Sequence, residues 1–155
     1  MRNNQWLKNQ LNLLLKKYFG DVIVSNPIEI KFGREAKYRF GSIRLIRPRR
    51  SRIVYRLPIL DRNNRNKPSK SIITITSMFA KESVPVNVVH YTICHELCHF
   101  AHGFSSTNKR LFKFPHHGGI VNKELAQRGA QDLSAAFKQW LKNYRQQILK
   151  GKIRI

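Results

Sequence analysis

Acidic residues are scarce in this chain: eight Asp and Glu stand against thirty Lys and Arg in 155 residues, a formal net charge of +22. A surface so short of carboxylates concentrates polyanions, and cations that neutralise phosphates bind nucleic acid by releasing its counterions. Nucleic acid is therefore the expected partner class. Cysteine is almost missing, with Cys94 and Cys98 the only pair. They sit one helical turn apart, where a helix holds the side chains too far apart for an unstrained disulfide. A disulfide scaffold is excluded, and free thiols point to a reducing compartment. Long apolar runs are absent as well, and the N-terminus lacks the apolar stretch of a signal peptide. The expectation is a soluble, unexported protein, cytoplasmic or nucleoid-associated, or nuclear in a eukaryote. Internal repeats and low-complexity segments are also lacking, which leaves one domain over residues 1–155 with a core over 3–149 and a frayed tail over 150–155.

What the chain does contain is His95-Glu96-Leu97-Cys98-His99, inside a stretch running from Pro85 to Gly103. Pro85 suits a helix start and Gly103 a C-terminal cap. Between them Val88, Val89, Ile93, Leu97, Phe100 and Ala101 recur at helical spacing, which predicts a largely buried helix. Residues four apart on a helix lie one turn above each other, so His95 and His99 present two imidazoles to one point, half of a zinc site. Glu96 lies within reach of the same ion without having to ligate it. That suits a general base activating a zinc-bound water, whose pKa the metal brings towards ~7.

Before this helix, residues 3–19 read as an amphipathic helix with Leu7, Leu11, Leu14 and Tyr18 on one face, flanked by Trp6 and Leu15 and stopped by Gly20. Short β-rich runs follow: Val22–Val24, Ile28–Phe32, Tyr38–Ile46, Ile53–Leu57 and Ile72–Thr76. Alternation in Ile43-Arg44-Leu45 and over 53–57 predicts a mostly antiparallel sheet with one basic face. Arg47, Arg49, Arg50 and Arg52 surround a turn expected at Pro48, and residues 61–70 read as a polar, basic loop. After the metal helix, Lys109, Arg110 and Lys113 are interleaved with Phe104, Phe112 and Phe114. Cations that hold phosphates beside rings that stack on bases suit single-stranded or distorted DNA, although each phenylalanine serves equally well as a core residue. Residues 120–149 return to helical spacing, with Leu125, Leu133, Phe137, Trp140, Tyr144 and Ile148 as a stripe that Gly129 divides in two. The fold class is α+β: helix, sheet, metal helix, loop, C-terminal helix or helices.

A catalytic zinc takes three protein ligands and keeps one position for water. His102 shares the face of His95 and His99 but lies ~10 Å along the axis from His95, a strained reach. Glycine at 102 and histidine at 105 would mark a metzincin, and this chain has His102 and Ser105. The remaining candidates are His116, His117 and Glu124. His117 is favoured because Gly118 and Gly119 after it let the backbone turn close to a metal. Glu124 opens a helical run, where a first-turn acid is also ordinary helix chemistry.

The chain resembles the SprT-like zinc metallopeptidases, the family of the bacterial SprT proteins and the Spartan proteases that digest DNA-protein crosslinks. The resemblance runs over roughly residues 3–130. It rests on the aromatic-glycine motif Tyr38-Arg39-Phe40-Gly41-Ser42-Ile43-Arg44-Leu45, the strand Ile72–Thr76, the proline ahead of the His95–His99 helix and the pair His117-Gly118. It implies a zincin-like fold, one Zn2+ on His95, His99 and His117, Glu96 as catalytic base, and cleavage of DNA-associated or DNA-crosslinked proteins. The family's aromatic three residues after the His-Gly pair is Val121 here, which keeps His116 in play. No cysteine follows Cys98, so the zinc ribbon of many bacterial members is not in this sequence and DNA contact falls to the basic surface and loops. Two other classes fit the same residues. One is a non-enzymatic nucleic-acid-binding protein with a structural zinc, closed by His102 or Cys98. The other is a zinc hydrolase acting on nucleic acid.

Overall fold

The computed structural model describes residues 1–48 and 69–151. The strand expected over 53–57, residues 61–68 of the basic loop, and Arg49, Arg50 and Arg52 lie outside the described residues.

Helix α1 spans Asn4–Tyr18. Asn3 caps it by accepting from the Trp6 N–H at 2.9 Å, which satisfies one of the donors a helix start leaves open. Leu7, Leu11 and Leu14 recur every three or four residues and are buried; each is worth about 1.5–3 kcal/mol of burial. The next apolar run, Val22–Val24, does not form the expected strand. It is a turn region with Ile23 and Val24 exposed, because so short a run finds no strand beside it.

Strands β1 (Ile28–Phe32), β2 (Gly41–Ile46) and β3 (Lys70–Ile75) form a sheet in the order β1-β3-β2. β2 runs antiparallel to β3, but β1 runs parallel to it, so among the described residues the sheet is mixed and not mostly antiparallel. Side-chain alternation has the same period in either direction, and so it could not report this. Ile30, Ile73 and Ile75 point into the core, while Lys31, Thr74, Ser42 and Arg44 alternate to the outer face.

Helix α2 (Val86–Ala101) is the centre of the molecule and touches α1, β2, β3 and both later helices. Pro85 precedes it, and Gly103 follows at φ 81°, the left-handed conformation of a helix end. Helices α3 (Ile120–Gln127) and α4 (Gln131–Leu149) separate at Gly129, at φ 78°. Phe40, just ahead of β2, sits among Phe79, Phe137, Trp140 and Tyr144, with ring centroids 5.4–6.0 Å away. This aromatic cluster clamps the start of β2 against α4 and the short turn Ser77–Ala80. No helix among the described residues is long and apolar enough to cross a membrane.

Candidate metal centre

Helical spacing places His95 and His99 as expected, with ring centroids 4.8 Å apart and edge to face. The third ring is that of His116, stacked on His95 at 5.2 Å and edge-on to His99 at 4.6 Å. One potential ligand atom from each of the three lies within 4.8 Å of the others, close enough for all three to bind one metal ion.

His117, the expected third ligand, is one residue out of register. It begins the short turn His117–Gly119, is exposed, and packs its ring edge-on to Phe114 at 6.3 Å. Gly118 and Gly119 have φ of 68° and 67°. Their left-handed conformation turns the chain into α3, and the ring that joins His95 and His99 is the one before the turn, His116. Glu124, the other alternative, is committed elsewhere: its carboxylate accepts from Arg128 at 3.0 Å and lies 3.5 Å from His102 Nε2. His102 itself is 2% exposed, a buried end-of-helix residue and not a solvated one. Neither His102 nor Cys98 belongs to the histidine cluster. Both cysteines are free and buried; burial pushes the Cys94 thiol up to about 12 and the Cys98 thiol higher still.

Burial, reinforced by its histidine neighbours, lowers His95 to about 4 and His99 to about 3, so both are neutral with an unshared electron pair at neutral pH. The His99 Nδ1 atom is fully buried without a partner, and none of the three rings hydrogen-bonds to another described side chain. Unpartnered buried nitrogens cost about 1–3 kcal/mol each, which a shared ion offsets for those that face it. Three imidazoles within reach of one point, two fixed on a helix and one delivered by a loop, fit a zinc-type ion.

Glu96 is 6% exposed and lines the same cavity of about 440 Å³ as His95, His99 and His116. Burial raises its carboxyl to about 7, with Arg39 pulling the other way. A cation on the three imidazoles would pull it down further. Gly41 explains how the carboxyl fits. A Cβ there would stand 2.7 Å from Thr92 Cγ2 and 3.0 Å from Glu96 Oε1, so only glycine lets β2 pass this close to α2. The aromatic-glycine motif thus has a physical role: Phe40 anchors the strand and Gly41 makes room for Glu96. Arg39, not singled out from the sequence, lines the cavity beside Arg110; its place in that motif was the available signal.

Of the expected nucleic-acid contacts, Arg47, Lys109, Arg110 and Lys113 are exposed. Phe104 is buried beneath the Arg110 guanidinium, 4.7 Å from its ring centroid, whereas Phe112 and Phe114 are 40% and 55% exposed. Compared with family models, with curated proteins and with solved structures, the chain matches none.

Proposed function

We propose that this protein is a zinc-dependent metallopeptidase of the SprT-like kind, acting on proteins associated with or crosslinked to DNA. The observation that carries the reading is Glu96, a buried carboxyl in one cavity with three imidazoles close enough to hold a metal ion. His95, His99 and His116 would hold the zinc, which would supply Lewis-acid chemistry and lower the pKa of a water towards ~7. Glu96, in the same cavity as the three imidazoles, would take the proton of the attacking water and return it to the departing amine. Arg39 and Arg110 offer positive charge to the oxyanion that develops on the peptide carbonyl.

The substrate has a strand to lie against. β3 is the central strand, with β1 and β2 on its two sides, so it has no edge to offer. Among the described residues β2 is paired on one side only, and its Gly41, Ser42 and Ile43 line the metal cavity. An extended peptide added to β2 is gripped by its backbone, independent of sequence. Beside Glu96 a recess of about 240 Å³, lined by Tyr38, Phe40, Tyr91 and Phe137, has room for an apolar side chain. The DNA context rests on the net charge of +22, on Arg47, Lys109, Arg110 and Lys113, and on the two exposed rings Phe112 and Phe114.

Glu96→Gln tests the reading. Cleavage of an unstructured protein is expected to fall by two or more orders of magnitude with zinc content unchanged, since the base is lost and the imidazoles remain. Cleavage that survives the substitution would sink it.

A further inference from the structure

The sheet has a second groove, on the face turned away from the core. It has a volume of about 630 Å³ and is lined by Lys31, Arg39 and Arg44, with Ser42, Thr74 and Ile72 between them. The strand register explains why these residues meet. Lys31 is level with Thr74, which is level with Ser42; one pair along, Glu29, Ile72 and Arg44 form the next row. Alternation sends all of them outward while Ile30 and Ile73 go to the core. The one acid of these rows, Glu29, is held by Lys70 at 3.0 Å, and among the described residues no carboxylate lines the groove. Arg39, Ser42 and Ile43 line both this groove and the metal cavity, so the two are continuous.

We propose that this outer sheet face is the binding track for the phosphate backbone of single-stranded nucleic acid, leading to the metal centre. The inference rests on the reading of the protein as nucleic-acid-associated and names the surface responsible. Charge selects an anion, and geometry selects an extended one. Lys31 and Arg44 stand two strand spacings of about 4.8 Å apart and are offset by two residues along the strands, so they face a chain laid obliquely across the strands and not a single point charge. Hydroxyls of Ser42 and Thr74 between the cations add donors for phosphate oxygens. An acidic polypeptide is the competing occupant, and the sheet face suits it less. The backbone N–H and C=O groups of β3 are spent on its neighbours, so only side chains face outward. A polypeptide would therefore leave its own backbone polar groups without partners there, whereas phosphodiesters ask only for cations and donors. Protein is taken at the β2 edge and nucleic acid on the β2 face, on either side of Arg39.

The experiment uses the zinc-loaded full chain and a fluorescein-labelled twelve-residue oligothymidylate, with anisotropy read across a salt series. The Lys31→Ala/Arg44→Ala double variant is expected to bind at least about tenfold more weakly. Its log–log salt slope should be smaller by about 1.4, since each phosphate of a single strand that is no longer neutralised lowers the slope by roughly 0.7. Arg44→Gln alone should show about half that slope change. Lys142→Ala/Arg145→Ala on α4 removes the same charge from exposed positions and should change affinity less than about twofold. Zinc content and thermal midpoint, measured alongside, keep folding separate from binding. Equal losses from both double variants would mean bulk charge alone and overturn the proposal. So would unchanged binding by the groove variant, or a groove variant that loses poly-glutamate binding but keeps the oligothymidylate. Proteolysis is not read in this assay. An inactive peptidase with groove-dependent binding refutes the proposed activity and leaves the track standing, and the reverse result refutes the track alone.

Discussion

The three histidines of the candidate metal centre are held in two different ways. His95 and His99 ride on α2, a helix whose residues from Val88 to Phe100 are buried almost without a break, and their relative position follows from helix geometry alone. His116 comes at the end of a loop. The first half of that loop is stitched down by small polar residues. Phe104 N–H donates to His99 C=O at 2.9 Å, Ser106 Oγ to Phe100 C=O at 2.8 Å, and Ser71 Oγ to Ser105 C=O at 2.6 Å. Asn26 accepts from Thr107 N–H at 2.9 Å, and Ser25 bonds to Asn108. From Phe112 to His116 every residue but Pro115 is exposed. The helix therefore fixes two ligands in advance, while the third carries an ordering cost, and it is the part of the centre open to adjustment.

This asymmetry predicts unequal losses, and zinc titration of single variants is the sharpest way to break it. Removing His116 leaves two imidazoles still set on one helix face, so His116→Ala should weaken zinc by about 100-fold or more, at least the upper end of what loss of an outer-shell partner costs. His95→Ala or His99→Ala leaves one helical ligand and the loop, which must then be ordered for a two-ligand site, and should weaken it considerably more. His117→Ala, outside the cluster, should change zinc affinity little. A His117→Ala variant that loses its metal while His116→Ala keeps it would restore the register expected from the sequence.

A smaller effect separates the stitched half of the loop from the ligand itself. Asn26 is buried; its Nδ2 donates to Ser71 Oγ at 2.9 Å and its Oδ1 receives Thr107 N–H. Asn26→Ala removes both at once and leaves buried partners unsatisfied, a loss of about 1–3 kcal/mol in denaturant unfolding. Asn26→Asp keeps the acceptor for Thr107 and should recover part of it. Because only the loop is loosened, zinc affinity should fall less than in His116→Ala. A loss of affinity with unchanged stability would mean that the network acts on the metal directly.

The contrast between helix and loop also explains which features could be read from the sequence. Apolar residues at helical spacing and a histidine pair four apart translate directly into a buried helix with two rings on one face, so α1, α2, His95, Glu96 and His99 were legible. The strands Ile28–Phe32, Gly41–Ile46 and Lys70–Ile75 were legible as strands, but their order and directions depend on distant pairing that alternation does not encode. The third histidine depends on the path of a loop, where one residue of register changes which ring turns inward. The role of Gly41 was invisible because it lies in the space between β2 and the Glu96 carboxyl. The partnership of His102, Glu124 and Arg128 likewise joins residues that no local pattern links.

The least costly perturbation acts on that register through backbone conformation alone. Gly118 has φ 68° and ψ 17°, and a Cβ placed on it would meet nothing within 4 Å, so any cost of a side chain there comes from the left-handed conformation and not from crowding. Gly118→Ala should therefore destabilise by about 1–2 kcal/mol, and Gly118→Asn by less, because asparagine visits this region more readily. The strain relaxes by shifting the turn that follows His116, so zinc affinity should drop a few-fold in the alanine variant and recover in the asparagine one. Combining Gly118→Ala with His116→Ala identifies the route. If the turn acts by holding His116 in place, its effect on zinc vanishes once that imidazole is gone, and the two substitutions are non-additive by the full size of the Gly118 effect. If the losses simply add, the turn works through α3 and the packing beneath it, and the loop is not what sets the third ligand.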